Sequence, residues 1–211
     1  MLSLLLAFTF NKSASYYDTR RELLIHETNC IGTALHRSDL YPDSVRQLFR
    51  RDFKEYITER IHYYEAGDDE KGIKVALQKG NNISERIWNR AVLIIAEQTP
   101  VATKSMQMIP AVNDMVDAVS SREEARNAHV PESILWLLLI LCVTGSFIVG
   151  YASKLKKADW IILSGYSLMT VMTIYIILDL DRPHHGIITT GSTHQNMYNL
   201  LNSLLEHDRE K

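Results

Sequence analysis

Two long stretches of this chain carry no charged residue: Ile134–Tyr151 and Trp160–Leu178. At a rise of about 1.5 Å per residue, each makes a helix of about 27–29 Å, close to the hydrocarbon thickness of a bilayer. A soluble helix of that length needs a polar face, and the run Ile134–Ile140 has none. In 211 residues there is too little other sequence to cover both stretches in a soluble core. They are therefore expected to form a transmembrane hairpin, joined by the short segment Ala152–Asp159. Trp136, Tyr151 and Trp160 fall near the ends of the runs, where aromatic rings favour the membrane interface.

The short connection also predicts orientation. It carries Lys154, Lys156 and Lys157 against Asp159, whereas beyond the second run there is Arg182 and nothing basic again until Arg209. Lysines in a loop this short favour the cytoplasm, which puts residues before Ile134 and after Leu178 on the extracytoplasmic side of a cell (inner) membrane. Within the runs, Ser146 and Gly150 make a small-xxx-small pair suited to close helix packing. Tyr166, Ser167, Thr170 and Thr173 place hydroxyls on neighbouring turns of the second run. They could line a polar pathway; the plainer reading is bonding to a neighbouring helix or back to their own.

Upstream, Met1–Phe10 is apolar apart from Ser3 and Thr9 but too short to span. With no basic residue ahead of Leu2, it fits the last turns of an incomplete transmembrane helix better than a signal peptide. The intervening segment reads as helices. Tyr17, Leu24, Ile31 and Leu35 recur at helical spacing, as do Val45, Leu48, Phe49, Phe53, Tyr56, Ile57 and Ile61 after Pro42. Gly67-Asp68-Asp69 is expected to end the second of these helices. Gly80-Asn81-Asn82 is read as another break, with Asn82 and Glu85 as a capping pair. A further helix is expected from Met106 to about Ala128, and Pro131 introduces the first full span. The expected fold class is all-α: a helical membrane protein with a helical extramembrane domain. Its parts are an incomplete span over 1–10, the extramembrane domain over 11–132, a transmembrane hairpin over 133–179 and a C-terminal tail over 180–211.

Composition narrows the function. The 23 basic and 25 acidic residues give a formal charge of −2, which argues against a nucleic-acid binder. Two cysteines, Cys30 and Cys142, cannot build a disulfide framework or a Cys-rich zinc site. No nucleophile elbow, phosphate loop or dinucleotide fingerprint occurs, so no enzyme, catalytic residue or cofactor is expected. His184 and His185 lie near Asp179, Asp181 and His194, but the spacing fits no standard metal-ligand pair. The most pointed cluster is Asp179-Leu180-Asp181-Arg182-Pro183, followed by Gly186. Charges at the mouth of a span need partners. Arg182, Arg20 and Arg21 are the candidates, either as a latch on the last span or as part of an ion vestibule.

Several of these motifs, in order, resemble the bestrophin-like domain family of bacterial membrane proteins over essentially the whole chain. Leu4–Phe10 resembles the end of the family's second span. Arg20-Arg21-Glu22-Leu23 and Glu27–Ala34, with Asn29 at the centre, resemble its signature helix. Asn113-Asp114-Met115-Val116-Asp117 followed by Arg122 resembles a later helix, and Pro131–Leu139 the start of its third span. Leu178–Pro183 with Gly186 resembles its last motif. The resemblance implies kinship with bestrophin anion channels, which are calcium-gated pentamers, although no acidic calcium clasp can be carried onto this chain. It also implies a cytosolic helical domain, against which the lysine loop argues. Taken together, the expectation is a multi-pass membrane protein that is channel- or transport-related. The alternative is a non-conducting module that presents its helical domain to a partner. Its surroundings would be the lipid bilayer, with room for a homo-oligomer and none for nucleic acid.

Overall fold

A computed structural model describes residues 1–96, 102–152, 160–181 and 191–209. They form seven helices: α1 (Leu2–Ser38), α2 (Asp43–Glu65), α3 (Glu70–Ala96), α4 (Ala102–Asn127), α5 (Glu132–Ala152), α6 (Trp160–Asp181) and α7 (Gly191–Arg209). No strand occurs among the described residues. Internal contacts divide the chain into two compact units. One comprises Met1–Thr19 and Ala125–Thr189, the other Arg20–Glu124 and Thr190–Lys211.

α1 is a single helix of 37 residues, about 55 Å long, which carries the apolar stub and the signature segment without interruption. In the second unit its buried side chains Leu24, Ile31 and Leu35 join Phe49, Phe53, Tyr56 and Ile57 of α2 in one core. α3 adds Ile73, Ile83 and Ile87, and α4 adds Met108, Val112 and Met115. Leu48, expected on the buried face of α2, is instead exposed. The reason is angular: the stripe centres on Phe49, Phe53 and Tyr56, and Leu48 falls at its margin.

The turn after α2 lies where glycine was expected to end it. Gly67 has φ +55°, a left-handed conformation that suits glycine. Asp69 then starts α3 by accepting the Lys71 backbone N–H at 3.1 Å. The break expected at Gly80-Asn81-Asn82 does not occur, because α3 runs straight through it. A helical glycine costs about 1 kcal/mol, but Ile73, Ala76, Gly80, Ile83, Ile87 and Ala91 form one continuous buried face. That burial outweighs the local preference. Asn82 and Glu85 are solvent-exposed helical residues, not a cap. α4 begins earlier than expected and continues through Pro110, with Met108, Ala111 and Val112 buried around it.

The described part of the C-terminal tail is a helix. α7 packs on α2, with Met197 and Leu204 buried in the core. The Tyr198 hydroxyl donates to Glu65 Oε1 at 2.7 Å.

In the first unit, α5 follows Pro131 as expected, and α6 continues three residues past Leu178, so that Asp179 and Asp181 are helical. Among the described residues, one helical stretch is long and apolar enough to cross a membrane. It contains an 18-residue window of mean hydropathy 2.3, only 6% of which is buried. Trp136, Ile140, Val143 and Phe147 on α5 are exposed, as are Leu168, Met169 and Val171 on α6 and Leu4 and Phe8 on α1.

Candidate functional site

The densest polar chemistry in the second unit surrounds Glu27. An apolar helix face should exclude charge, yet Glu27 lies on the buried side of α1 with 0% exposure, and Arg60 lies in the apolar stripe of α2 with 1%. Arg60 Nε donates to Glu27 Oε1. Arg122 Nη1, from α4, donates to Oε2 at 2.7 Å, and the Tyr64 hydroxyl donates to the same oxygen at 3.0 Å. One carboxylate thus ties together three helices.

The two guanidiniums also stack on aromatic faces. Arg60 lies 4.4 Å from the Tyr63 ring centroid, and Arg122 lies 4.1 Å from that of Tyr64. The Tyr63 hydroxyl donates in turn to Glu123. Burial alone would push the Glu27 carboxyl up, but Arg60 and Arg122 more than offset it and hold it at about 2. Burial pushes the Tyr63 hydroxyl up to about 12, and Tyr56 and Tyr64 are also raised by burial. At neutral pH Glu27 is therefore ionised and the phenols of Tyr56, Tyr63 and Tyr64 are neutral. Arg60 Nη2 is buried without a hydrogen-bond partner among the described residues.

A second node joins α2 to α3. Asp52 is fully buried; its Oδ2 accepts from Arg90 Nη2 at 2.7 Å, and its Oδ1 forms an ion pair with Arg86 Nε at 3.0 Å. Arg86 continues to Glu55.

The structure distributes the residues singled out by sequence as follows. Glu27 meets Arg122 of the later motif. Asn29 is exposed on α1, and Asn113 and Asp117 are exposed on α4 beside the buried Met115 and Ala118. Arg20 is buried and Arg21 exposed. Asp179 and Asp181 are buried on the last turn of α6. Asp181 Oδ1 accepts the Val130 backbone N–H at 2.9 Å, and the His129 ring lies 3.4 Å from the Asp181 carbonyl oxygen. This Val130 amide lies just ahead of α5, where a helix start leaves donors that need acceptors. Arg182, Pro183 and Gly186 lie outside the described residues, as do His184, His185 and the lysines of the short loop.

Sequence reasoning missed Arg60, Tyr63, Tyr64 and Asp52. The available signal was a charged residue inside an apolar stripe: Asp52 between Phe49 and Tyr56, and Arg60 between Tyr56 and Tyr64.

In the first unit, a groove of about 410 Å³ runs between α5 and α6, lined in part by Gly145, Ser146, Tyr166, Ser167 and Thr170. Several hydroxyls along these helices are directed back to their own backbone. Ser146 donates to the Cys142 carbonyl at 2.8 Å, Thr170 to Tyr166 at 3.0 Å and Thr173 to Met169 at 2.8 Å. Among the described residues no group of three or more His, Cys, Asp or Glu side chains could hold a metal ion.

A family model described as Bestrophin-like domain matches residues 1–209. No curated protein and no solved structure matches the chain.

Proposed function

The chain belongs to the bestrophin-like domain family, and from that premise we propose that it is a multi-pass integral membrane protein with a channel- or transport-related, non-enzymatic role. The observation that carries the reading is the apolar window of α5, 6% buried, a surface that only lipid or other apolar helices can cover. Topology supports a second crossing. α7 packs on α2 in one compact unit, so an even number of crossings separates α4 from α7. If α5 crosses, α6 must return the chain. The groove between these helices is the candidate path, and assembly of copies of the chain around it is part of the proposal.

A non-conducting module is the second reading. It is favoured by the hydroxyls bonded back to their own helices and by the absence of charge from the apolar runs. Reconstitution separates the two. Vesicles carrying the protein should release halide faster than protein-free vesicles, and equal rates would favour the module. In native membranes the chain should stay in the pellet after alkaline carbonate extraction; recovery in the supernatant would defeat both readings.

The lysines of the short loop favour an arrangement with the helical domain and α7 outside the cytoplasm. In a background with Cys30 and Cys142 replaced, Ser121→Cys and Ser203→Cys should react with an impermeant reagent applied to intact cells, and Ser153→Cys should not. Reaction of Ser153→Cys alone would invert the orientation.

A further inference from the structure

We propose that the groove between α1 and α7 in the second unit binds a neutral, hydroxyl-rich ligand: a sugar, either free or as the headgroup of a glycolipid. This inference is independent of any conducting role.

The signature helix has two working faces. Glu27 and Ile31 point into the core, while Asn29, Thr33 and His36 line a groove of about 520 Å³ together with Asn196, Asn199 and Ser203 of α7. The spacing produces this arrangement. Residues 29, 33 and 36 recur at four and three along α1, and 196, 199 and 203 at three and four along α7, so each helix presents one polar row. The floor is small and apolar: a methyl group on Gly32 would meet Leu200 Cδ1 at 3.8 Å.

The chemistry of the lining selects the ligand. Among the described residues no acidic side chain, lysine or arginine lines the groove, so an ion would find no carboxylate, ammonium or guanidinium counter-charge there. Apart from Leu200 on the floor, the lining is polar or glycine, which gives a hydrocarbon chain little to bury against. What remains is amides and hydroxyls. The Asn29 and Asn196 amides make no hydrogen bond to other described residues. Asn199 Oδ1 accepts from Gln195 at 3.2 Å, which leaves its NH2 to donate outward. The Ser203 and Thr28 hydroxyls give their protons to the Leu200 and Leu24 carbonyls and keep lone pairs as acceptors. An amide that both donates and accepts matches a pair of adjacent sugar hydroxyls. The volume lies within the range of about 300–1,000 Å³ usual for small-molecule sites. Because the lining is largely exposed, each hydrogen bond replaces one to water, and binding should be weak, near the millimolar range.

The test uses the full chain in a zwitterionic detergent, since glycoside detergents would compete. Saturation-transfer NMR with trehalose and with glucose should show transfer to the sugar ring protons. Asn29→Ala and Asn199→Ala, both exposed sites, should keep the wild-type thermal melt and each weaken binding about three- to tenfold. Gly32→Ala, which raises the groove floor, should weaken it as well. Nanodiscs with and without a digalactosyl lipid identify the source: competition by that lipid against trehalose assigns the headgroup, and none assigns the free sugar. The proposal is overturned if neither sugar nor glycolipid binds, if the variants bind as wild type, or if glucose 6-phosphate binds more tightly than glucose.

Discussion

Replacing Glu27 with alanine is expected to destabilise the protein by about 3–5 kcal/mol, the usual consequence of removing one member of a buried ion pair. Arg60 is 1% exposed, so its charge would remain buried. Arg122, nearer the surface, can partly rehydrate. The midpoint of urea or thermal unfolding in detergent measures the loss, and an unchanged midpoint would refute this account of the cluster. A Glu27→Leu/Arg60→Met double variant should lose less than the single Glu27→Ala change, because it leaves one fewer charge buried and unpaired.

The same carboxylate sets an acid limit. Its pKa is lowered from 4.5 to about 2 in the fold, so the unfolded chain binds the proton more tightly. The stabilisation it provides is therefore fully present above about pH 4.5 and is lost as the pH falls towards 2, amounting to about 3 kcal/mol. In Glu27→Gln the dependence of stability on pH should flatten across that window.

The second large effect is expected at the C-terminus. Met197 and Leu204 are essentially unexposed, and each change to alanine should cost about 2–5 kcal/mol. If the two sites act independently the losses add, which would consume most of the roughly 5–15 kcal/mol that holds a typical domain together. Thermal melts of Met197→Ala, Leu204→Ala and the double variant measure this. Retention of the wild-type midpoint in the double variant would mean that α7 contributes nothing to the core.

The apolar runs were legible because charge-free length is a property of consecutive residues, and α5 begins where Pro131 predicted. The faces of α1 and α2 were legible for a similar reason: Leu24, Ile31 and Leu35, and Phe49, Phe53 and Tyr56, repeat at one angular period. Gly80 misled because its propensity is local and the continuous buried face of α3 is not. Met197, Leu201 and Leu204 carried a helical period of their own, but nothing local said that α2 would receive them. The Glu27 cluster was half legible. Glu27 and Arg122 stood in quoted motifs, whereas Arg60 became visible only once three helices were packed, because a buried arginine is explained by its partner and not by its neighbours in sequence.

The docking of α7 on α2 has a consequence for synthesis. The core of the second unit is assembled from two stretches, Arg20–Glu124 and Thr190–Lys211, with both apolar runs lying between them in the chain. A nascent chain that has released α2, α3 and α4 still lacks Met197 and Leu204 while those runs emerge from the ribosome. The unit must wait with an apolar face open, a vulnerable interval for any slowly completed fold. Closing it joins residues far apart in sequence, which slows folding. Excising this unit as one uninterrupted fragment is therefore the wrong way to obtain it alone; residues 20–124 need 190–209 supplied through a linker or as a separate peptide.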